Sequence, residues 1–263
     1  MSLGVAIFLG VLQGLTEFFP VSSSGHLALF GHWFGLHEPD LTFDILLHLA
    51  TLAAIVVYFR KDWVDLWNLC IGEKTSDFPK HLLPYLILSI IPAGLVGVFL
   101  KDHIEALHGY PYWVGIFLFV TGITLLCGLR IKGEGRPFEQ LSPAMVAVIA
   151  LAQAVAILPG ISRSGATIMA ALFLGMNKNA AARFSFLMAV PVIGGAGLLA
   201  LIKVIAQSAA MSTGLWLAYG AGFVSAMVSG FFALAFLMRL LEGKRFFYFG
   251  FYCLAMGAVA VSL

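Results

Sequence analysis

The side chains best suited to chemistry lie in one short stretch near the amino terminus, residues 13–26. Gln13 and Glu17 are four residues apart, so they share one face of a helix. Pro20 is predicted to end that helix, because proline interrupts helical hydrogen bonding. An acidic side chain is thereby held on a helix just before a sharp turn.

The turn after Pro20 combines an anion-binding geometry with a nucleophile and a base. Ser22, Ser23 and Ser24 stand where the next helix begins, and each can cap a free backbone N–H group. A helix N-terminus with spare N–H donors is a natural phosphate site. His26 and the preceding carboxylate add a base and a group for proton transfer or metal binding. The alternative is a capping turn around a buried, satisfied Glu–His pair.

Composition places these side chains in a membrane. Of the 263 residues, 61% are hydrophobic and only 11% are charged, whereas a soluble domain carries roughly 25% charged residues. No charged stretch is long enough to build a soluble domain, so residues 1–263 are predicted to form a single integral membrane domain. An ionisable residue within a membrane is usually functional, which favours a working site over a capping turn. The net charge of +2 gives no sign of nucleic-acid binding.

A second polar stretch, residues 158–167, contains Arg163 in an otherwise apolar setting. An unpaired guanidinium at the bilayer centre costs at least about 2.5–3.5 kcal/mol, so Arg163 needs Glu17, an anionic substrate, or each in turn. Arginine suits phosphate because its planar fork donates two hydrogen bonds at once. A structural Arg–Glu lock between the two stretches is the alternative. Backbone amides and neighbouring residues would complete an oxyanion cradle: Ser162, Ser164, Gly165 and Thr167.

The whole chain is predicted to be an all-α polytopic membrane protein with six full transmembrane helices and two re-entrant helical hairpins. A helix needs about 20 apolar residues to cross the bilayer, and six runs qualify or nearly so: 41–59, 82–100, 110–129, 184–202, 214–238 and 246–263. A re-entrant hairpin reads as a long and a short apolar run around an irregular turn, which must be buried in protein or line a cavity. Two such pairs occur: 3–19 with 26–36, and 141–158 with 165–176.

Lysine and arginine positions predict the orientation. Of the 15 lysines and arginines, only Lys101 and Lys203 are predicted on one side of the membrane, and Arg163 lies within a hairpin. The positive-inside rule places the remaining set in the cytoplasm and both termini outside. This set comprises Arg60, Lys61, Lys74, Lys80, Arg130, Lys132, Arg136, Lys178, Arg183, Arg239, Lys244 and Arg245.

An internal repeat relates residues 1–130 approximately to residues 141–263. Three spans follow each hairpin, so the second half enters the membrane inverted. In inverted-topology repeats the site lies where the broken helices meet near the midplane. Chance similarity between two Ser/Gly turns is the alternative. At an offset of 140 residues, identical side chains coincide: Gln13 on Gln153, Ser22 on Ser162, Ser24 on Ser164 and Gly25 on Gly165.

Over essentially its whole length the chain resembles the bacitracin-resistance family of undecaprenyl-pyrophosphate phosphatases. The resemblance implies a bacterial plasma (inner) membrane enzyme that converts undecaprenyl (C55 polyprenyl) pyrophosphate to the monophosphate, recycling the lipid carrier of cell-wall synthesis. It also implies a homodimer, a divalent cation (Mg²⁺ or Ca²⁺) and a site open to the outer side. The resemblance rests on two motifs: Glu17-x-x-Pro20-x-Ser22-Ser23-x-Gly25-His26 and Pro159-Gly160-x-Ser162-Arg163-Ser164-Gly165-x-Thr167.

Mapped onto these motifs, the predicted mechanism uses Ser23 as nucleophile and His26 as the base that takes its proton. Arg163 would hold the pyrophosphate, and Glu17 would bind the cation or orient the histidine. Attack by Ser22, or directly by His26, is an open alternative. Substrate contacts are predicted for Gln13, Ser22, Ser24, Gly25, Ser162, Ser164, Gly165 and Thr167.

A carrier or flippase for a phosphorylated polyprenyl lipid is the rival function, because inverted repeats with broken helices are foremost a transporter design. Anion binding requires neither base nor carboxylate, so the Ser–His–Glu grouping favours an enzyme.

Outside the motifs, Asp44 and His48 either touch the cavity or simply pack, and Arg183 anchors a span. The Phe-rich segment from Phe246 to Tyr252 is predicted to face lipid or a partner subunit.

Overall fold

The computed structural model describes residues 1–34, 41–73, 78–131, 133, 135–207 and 212–263. Lys74 and Lys132, two of the cations that predict the orientation, lie outside these residues. An isolated bridge joins Arg136 to Met176. The described residues otherwise form short 3₁₀ turns and twelve α-helices: α1 Leu3–Phe18, α2 Ser23–Trp33, α3 Leu41–Tyr58, α4 Arg60–Cys70, α5 Leu82–Phe99, α6 Lys101–Leu107, α7 Pro111–Cys127, α8 Pro143–Val155, α9 Arg163–Phe173, α10 Lys178–Gln207, α11 Thr213–Glu242 and α12 Phe249–Val261.

Both predicted long–short helix pairs are confirmed. α1 ends at Phe18, two residues before Pro20, and α2 begins at Ser23. The second pair is α8 and α9, and Ser162 caps α9 by accepting a hydrogen bond from the Gly165 N–H at 3.1 Å. Each pair therefore presents a helix N-terminus beside an irregular turn.

Four described helical segments are long and apolar enough to cross a membrane: Leu82–Phe99, Pro111–Arg130, Lys178–Leu198 and Thr213–Glu242. A fifth is obtained if Thr42–Tyr58 and Arg60–Cys70, which meet at 76°, form one bent span. An all-helical membrane protein is thus confirmed. The sequence did not predict α4 or α6, because the charged residues that open them are typical of loops.

The two hairpins have matching neighbours. α1 packs along α11 as α8 packs along α5, and α3 packs on α11 as α10 packs on α5. The approach of α1 to α11 is close because glycines face it: a Cβ at Gly10 or Gly14 would collide with backbone carbonyls of Gly222 and Ala226. Tight helix contacts through small residues are typical of membrane proteins.

α12 packs against α7 through glycines on both helices, which brings its first turns beside the first hairpin. A Cβ at Gly250 would lie 2.7 Å from the Gly122 carbonyl, and one at Gly257 would lie 3.0 Å from the Gly115 carbonyl. In the 3₁₀ turn before α12, Arg245–Tyr248, the two phenylalanines are buried and the two outer residues are exposed.

The prediction that the Phe-rich segment faces lipid or a partner is wrong for Phe246 and Phe247, which are 1% and 2% exposed. Both phenylalanines pack in the core. The Phe247 ring fills the space left by the missing side chain of Gly128, in the 3₁₀ turn that follows α7.

Candidate active site

The two hairpin turns are hydrogen-bonded to each other. Ser22 Oγ accepts a hydrogen bond from the Gly160 N–H at 3.1 Å, and Ser164 Oγ donates to the Phe19 carbonyl at 3.5 Å. Gly25 lies so near that a Cβ there would be 3.3 Å from Gly160 Cα. Residues 135 to 145 positions apart in sequence therefore border one site.

Unusual backbone conformations hold both turns in place. Ser22 has a φ of 67°, a left-handed conformation uncommon outside glycine that costs of the order of 1–3 kcal/mol and tends to occur at functional sites. Gly160 has a φ of 105°, and a Cβ there would collide with the Val114 carbonyl of α7. Thr121, also on α7, donates to the Gly160 carbonyl at 3.0 Å and accepts from the Ser162 N–H at 3.1 Å.

The Glu17 carboxylate, 7% exposed, lies where the two turns meet. Its Oε1 accepts a hydrogen bond from Arg163 Nη2 at 2.6 Å. Its Oε2 accepts from Ser23 Oγ at 2.6 Å and from Gln13 Nε2 at 3.0 Å. His48 Nε2 lies 3.7 Å from the same oxygen, so His48 borders the site. The predicted Glu17–Arg163 pair is confirmed, and it joins the two halves of the chain.

Two buried polar atoms at this junction have no hydrogen-bond partner among the described residues: Arg163 Nη1 and Gln13 Oε1. A buried polar group left unpaired costs about 1–3 kcal/mol, and more when it is charged. Arg163 thus binds Glu17 with one nitrogen and has the other available for an oxyanion. The Gln13 amide oxygen, an acceptor, suits a cation or a hydrogen-bond donor.

His26 is fully buried, and both of its ring nitrogens have partners. Nδ1 lies 2.8 Å from the Ser22 carbonyl oxygen, which can only accept, so Nδ1 carries the proton. In the neutral ring Nε2 is then an acceptor, and Tyr252 Oη, 2.7 Å away, donates to it. Neither nitrogen is paired with Ser23. The prediction that His26 takes the proton of Ser23 has no contact behind it, and the geometry favours Glu17 as that acceptor.

The remaining predicted substrate contacts divide into two groups. Ser22 with Ser24, and Ser162 with Ser164, form matching pairs whose Oγ atoms are 3.3 Å and 3.2 Å apart at the two turns. Thr167 lies one helical turn deeper: its Oγ1 donates to the Arg163 carbonyl at 2.8 Å and lies 2.5 Å from Ser185 Oγ. The serine pairs border the site, whereas the Thr167 hydroxyl stabilises the packing beneath it.

For a divalent cation the described residues supply few ligands. Within that part of the chain, no group of three or more His, Cys, Asp or Glu side chains could hold a metal ion. Mg²⁺, however, commonly binds through one or two protein oxygens together with substrate phosphates. The Glu17 carboxylate and the unpartnered amide oxygen of Gln13 fit this pattern.

Sequence reasoning missed Thr121 and Tyr252. Thr121 lies in an apolar helix, and threonine there commonly bonds only to its own helix. Tyr252 is 226 residues from its partner His26, in a segment whose aromatic composition indicated a surface facing lipid or a partner subunit. Neither residue carries a local signal that could have identified it.

Comparison with known proteins gives consistent matches. A family model described as bacitracin resistance protein BacA matches residues 6–259. The undecaprenyl-diphosphatase of Pelobacter propionicus is 41% identical, covering 100% of this chain and 97% of that protein. The undecaprenyl-diphosphatases of Halothermothrix orenii and Syntrophotalea carbinolica are 37% and 41% identical and are covered over 98% and 99% of their lengths.

Proposed function

Because the chain belongs to the family of bacitracin resistance protein BacA, we propose that it hydrolyses undecaprenyl pyrophosphate to undecaprenyl monophosphate and phosphate. This reaction recycles the lipid carrier used in cell-wall synthesis. One observation carries the proposal: Ser23, Glu17 and Arg163 form a continuous chain of hydrogen bonds where two helix N-termini meet. That arrangement provides a nucleophile, a proton acceptor and an anion-binding cation.

In the proposed first step, Ser23 Oγ attacks the terminal phosphorus and passes its proton to Glu17 Oε2, to which it is already bonded at 2.6 Å. The bond between that phosphorus and the bridging oxygen breaks, and undecaprenyl monophosphate leaves with the electron pair. Water then attacks the phosphorus of the phosphoserine and the bond from Ser23 Oγ to that phosphorus breaks. Glu17 returns its proton to Ser23 Oγ, and the water oxygen leaves as part of the released phosphate. The Ser22 hydroxyl is a weaker candidate, because it already accepts hydrogen bonds from the Gly160 and Gly25 N–H groups.

Charge stabilisation is assigned to Arg163 and the N-terminus of α2. Phosphoryl transfer depends mainly on positioning and on stabilising charge on the phosphoryl oxygens. The unpartnered Nη1 of Arg163 is available to those oxygens while Nη2 holds Glu17. Free N–H groups and the dipole of the helix that begins at Ser23 favour negative charge at the same place.

We assign the proposed cation, Mg²⁺ or Ca²⁺, to Glu17 and the amide oxygen of Gln13. When bound with the pyrophosphate, it would neutralise part of the substrate's charge.

Chelation of divalent cations is expected to lower phosphate release by at least about 10-fold, and re-added Mg²⁺ or Ca²⁺ is expected to restore it. Gln13→Ala should raise the cation concentration needed for half-maximal release. Full activity in the chelator, after repeated washing, would contradict the cation requirement.

Six full spans, two re-entrant hairpins and an inverted repeat are proposed for the membrane arrangement. Two features support the repeat. The hairpins pack on corresponding helices of opposite halves, and each turn has the same local pattern, in which the first serine accepts from a glycine N–H three residues later: Ser22 from Gly25 and Ser162 from Gly165. The charge distribution favours termini on the outer side, and the family resemblance favours a site open to that side. A homodimer is proposed on the family resemblance alone, and cross-linking in the membrane would test it.

The orientation is testable with single cysteines placed in a variant whose three native cysteines are replaced. Ser2 and Ser262 are exposed near the two termini, and Lys244 is exposed in a connection assigned to the cytoplasm. Ser2→Cys and Ser262→Cys are expected to react with a membrane-impermeant maleimide in intact spheroplasts, whereas Lys244→Cys should react only after permeabilisation. The reverse labelling pattern would overturn the orientation.

Product analysis separates the phosphatase from a carrier. Purified protein in detergent is incubated with undecaprenyl pyrophosphate, and lipid and phosphate are quantified together. A phosphatase is expected to produce undecaprenyl monophosphate and phosphate in equal amounts. Recovery of unchanged lipid from folded protein that binds it would reject the phosphatase and favour the carrier.

A further inference from the structure

Tyr252 makes a hydrogen bond into the active-site hairpin that the reaction scheme leaves without a role. Its hydroxyl donates to His26 Nε2 at 2.7 Å, and the two ring planes differ by only 7°. On the other side of the histidine ring, Nδ1–H donates to the Ser22 carbonyl at 2.8 Å. That carbonyl belongs to the peptide bond that leads into Ser23. The contacts therefore run from Tyr252 through His26 to the backbone of the nucleophile.

One face of α12 covers the first turn. Phe249, Tyr252 and Cys253 are spaced so that they lie on the same side of a helix. The Phe249 ring stacks on Phe19 with centroids 5.1 Å apart, and Cys253 Sγ donates to the Pro20 carbonyl at 3.4 Å. The hydrogen bond of Tyr252 is therefore one of three contacts by which α12 holds the turn.

A tyrosine at the surface of a membrane protein commonly directs its hydroxyl toward water at the membrane interface. Tyr252 is 43% exposed, yet its hydroxyl is bonded to His26, which is fully buried. The ring thus lies at the surface while the polar end enters the site. Tyr248, one helical turn earlier, is 52% exposed, and its hydroxyl has no hydrogen bond to a described residue.

We propose that Tyr252 is a positioning residue of this active site, acting through His26. Which nitrogen of a histidine carries the proton is set by the hydrogen bonds at both nitrogens. With an acceptor at Nδ1 and a donor at Nε2, the ring has one orientation and one neutral tautomer. Its Nδ1–H then holds the Ser22 carbonyl, and so the turn in which Ser22 has a φ of 67° and Ser23 faces Glu17. This inference rests on the proposed phosphatase function.

Tyr252→Phe tests the inference because it removes the hydroxyl and keeps the aromatic ring. We expect kcat for phosphate release from undecaprenyl pyrophosphate to fall about 10-fold, the size of effect that outer partners of metal-bound histidines have. KM should stay within about twofold of wild type, because Arg163 and the helix N-termini still bind the pyrophosphate. Tyr248→Phe, the matched control, should leave both constants unchanged.

The ring nitrogens of His26 provide a readout that a purely structural role would not move. In protein labelled with ¹⁵N-histidine, the His26 signals are assigned by their loss in His26→Gln. Tyr252→Phe is expected to shift the Nε2 signal or to produce a mixture of tautomers, and Tyr248→Phe to leave the signals unchanged. Unaltered His26 signals in Tyr252→Phe, or unaltered kcat, would overturn the inference. The signals are recorded without substrate, so absence of phosphate release by wild type would instead count against the phosphatase.

Discussion

Replacing Ser23 by alanine is expected to lower kcat for phosphate release by at least about 10³-fold, with little change in the affinity for undecaprenyl pyrophosphate. The substitution removes the hydroxyl that donates a hydrogen bond to Glu17 Oε2 at 2.6 Å. Without it the phosphoserine cannot form, whereas Arg163 and the helix N-termini remain available to bind the pyrophosphate. Stopped assays of released phosphate, with binding measured separately, check both parts.

Ser89→Ala is the control for Ser23→Ala. Ser89 is fully buried on α5, and its hydroxyl donates to the Leu86 carbonyl of its own helix at 2.7 Å. Its loss removes a buried serine hydroxyl from the protein without touching the site, so activity should stay within about twofold of wild type. Retention of activity in Ser23→Ala, together with its loss in Ser22→Ala, would transfer the role of nucleophile to Ser22.

The second large effect is expected at Arg163. Arg163→Lys keeps a positive charge near Glu17 but removes the planar fork, so kcat/KM should fall by about 10²-fold. Arg163→Ala is a poorer test, because it leaves the Glu17 carboxylate buried without its cation. Removing one partner of a buried ion pair costs about 3–5 kcal/mol, so that variant would lose stability as well as activity.

Arg183→Lys is a matched control for the arginine. Arg183 also pairs with a mostly buried carboxylate, since its Nη2 lies 2.5 Å from Asp62 Oδ1. Its guanidinium lies 4.7 Å from the centre of the Phe78 ring and 5.7 Å from the centre of the Phe138 ring. Arg183→Lys should keep kcat/KM within about threefold of wild type. Equal losses in the two lysine variants, or full activity in Arg163→Lys, would reduce the Glu17–Arg163 pair to a structural lock.

Features encoded by neighbouring residues were predictable from the sequence. Pro20 marks the end of α1, and Ser162 caps α9 as its position before a helical run indicates. The four-residue spacing of Gln13 and Glu17 gives the hydrogen bond that the structure contains. An arginine inside a membrane needs a compensating charge, which pointed to Glu17 as a partner of Arg163 although the two residues are 146 positions apart.

Features that depend on which helices become neighbours were not predictable. Tyr252 bonds to His26 from α12, a helix that glycines allow to approach α7 closely. Without knowledge of that partner, the sequence predicted His26 as the base that takes the proton of Ser23. Thr167 was likewise predicted to help bind an oxyanion, yet in the fold its hydroxyl donates to the Arg163 carbonyl of its own helix. Local motifs predicted which residues border the site, and tertiary contacts decide what each can do.

The most direct test of phosphoryl transfer to Ser23 is a single-turnover reaction with undecaprenyl pyrophosphate labelled in its terminal phosphate. Samples are quenched in acid, which preserves phosphoserine, and in base, which preserves phosphohistidine, and labelled peptides are identified by mass spectrometry. Label on Ser23 that appears and decays as phosphate is released is the expected result. Label on His26, or phosphate release with no labelled protein at any time, would contradict Ser23 as the nucleophile.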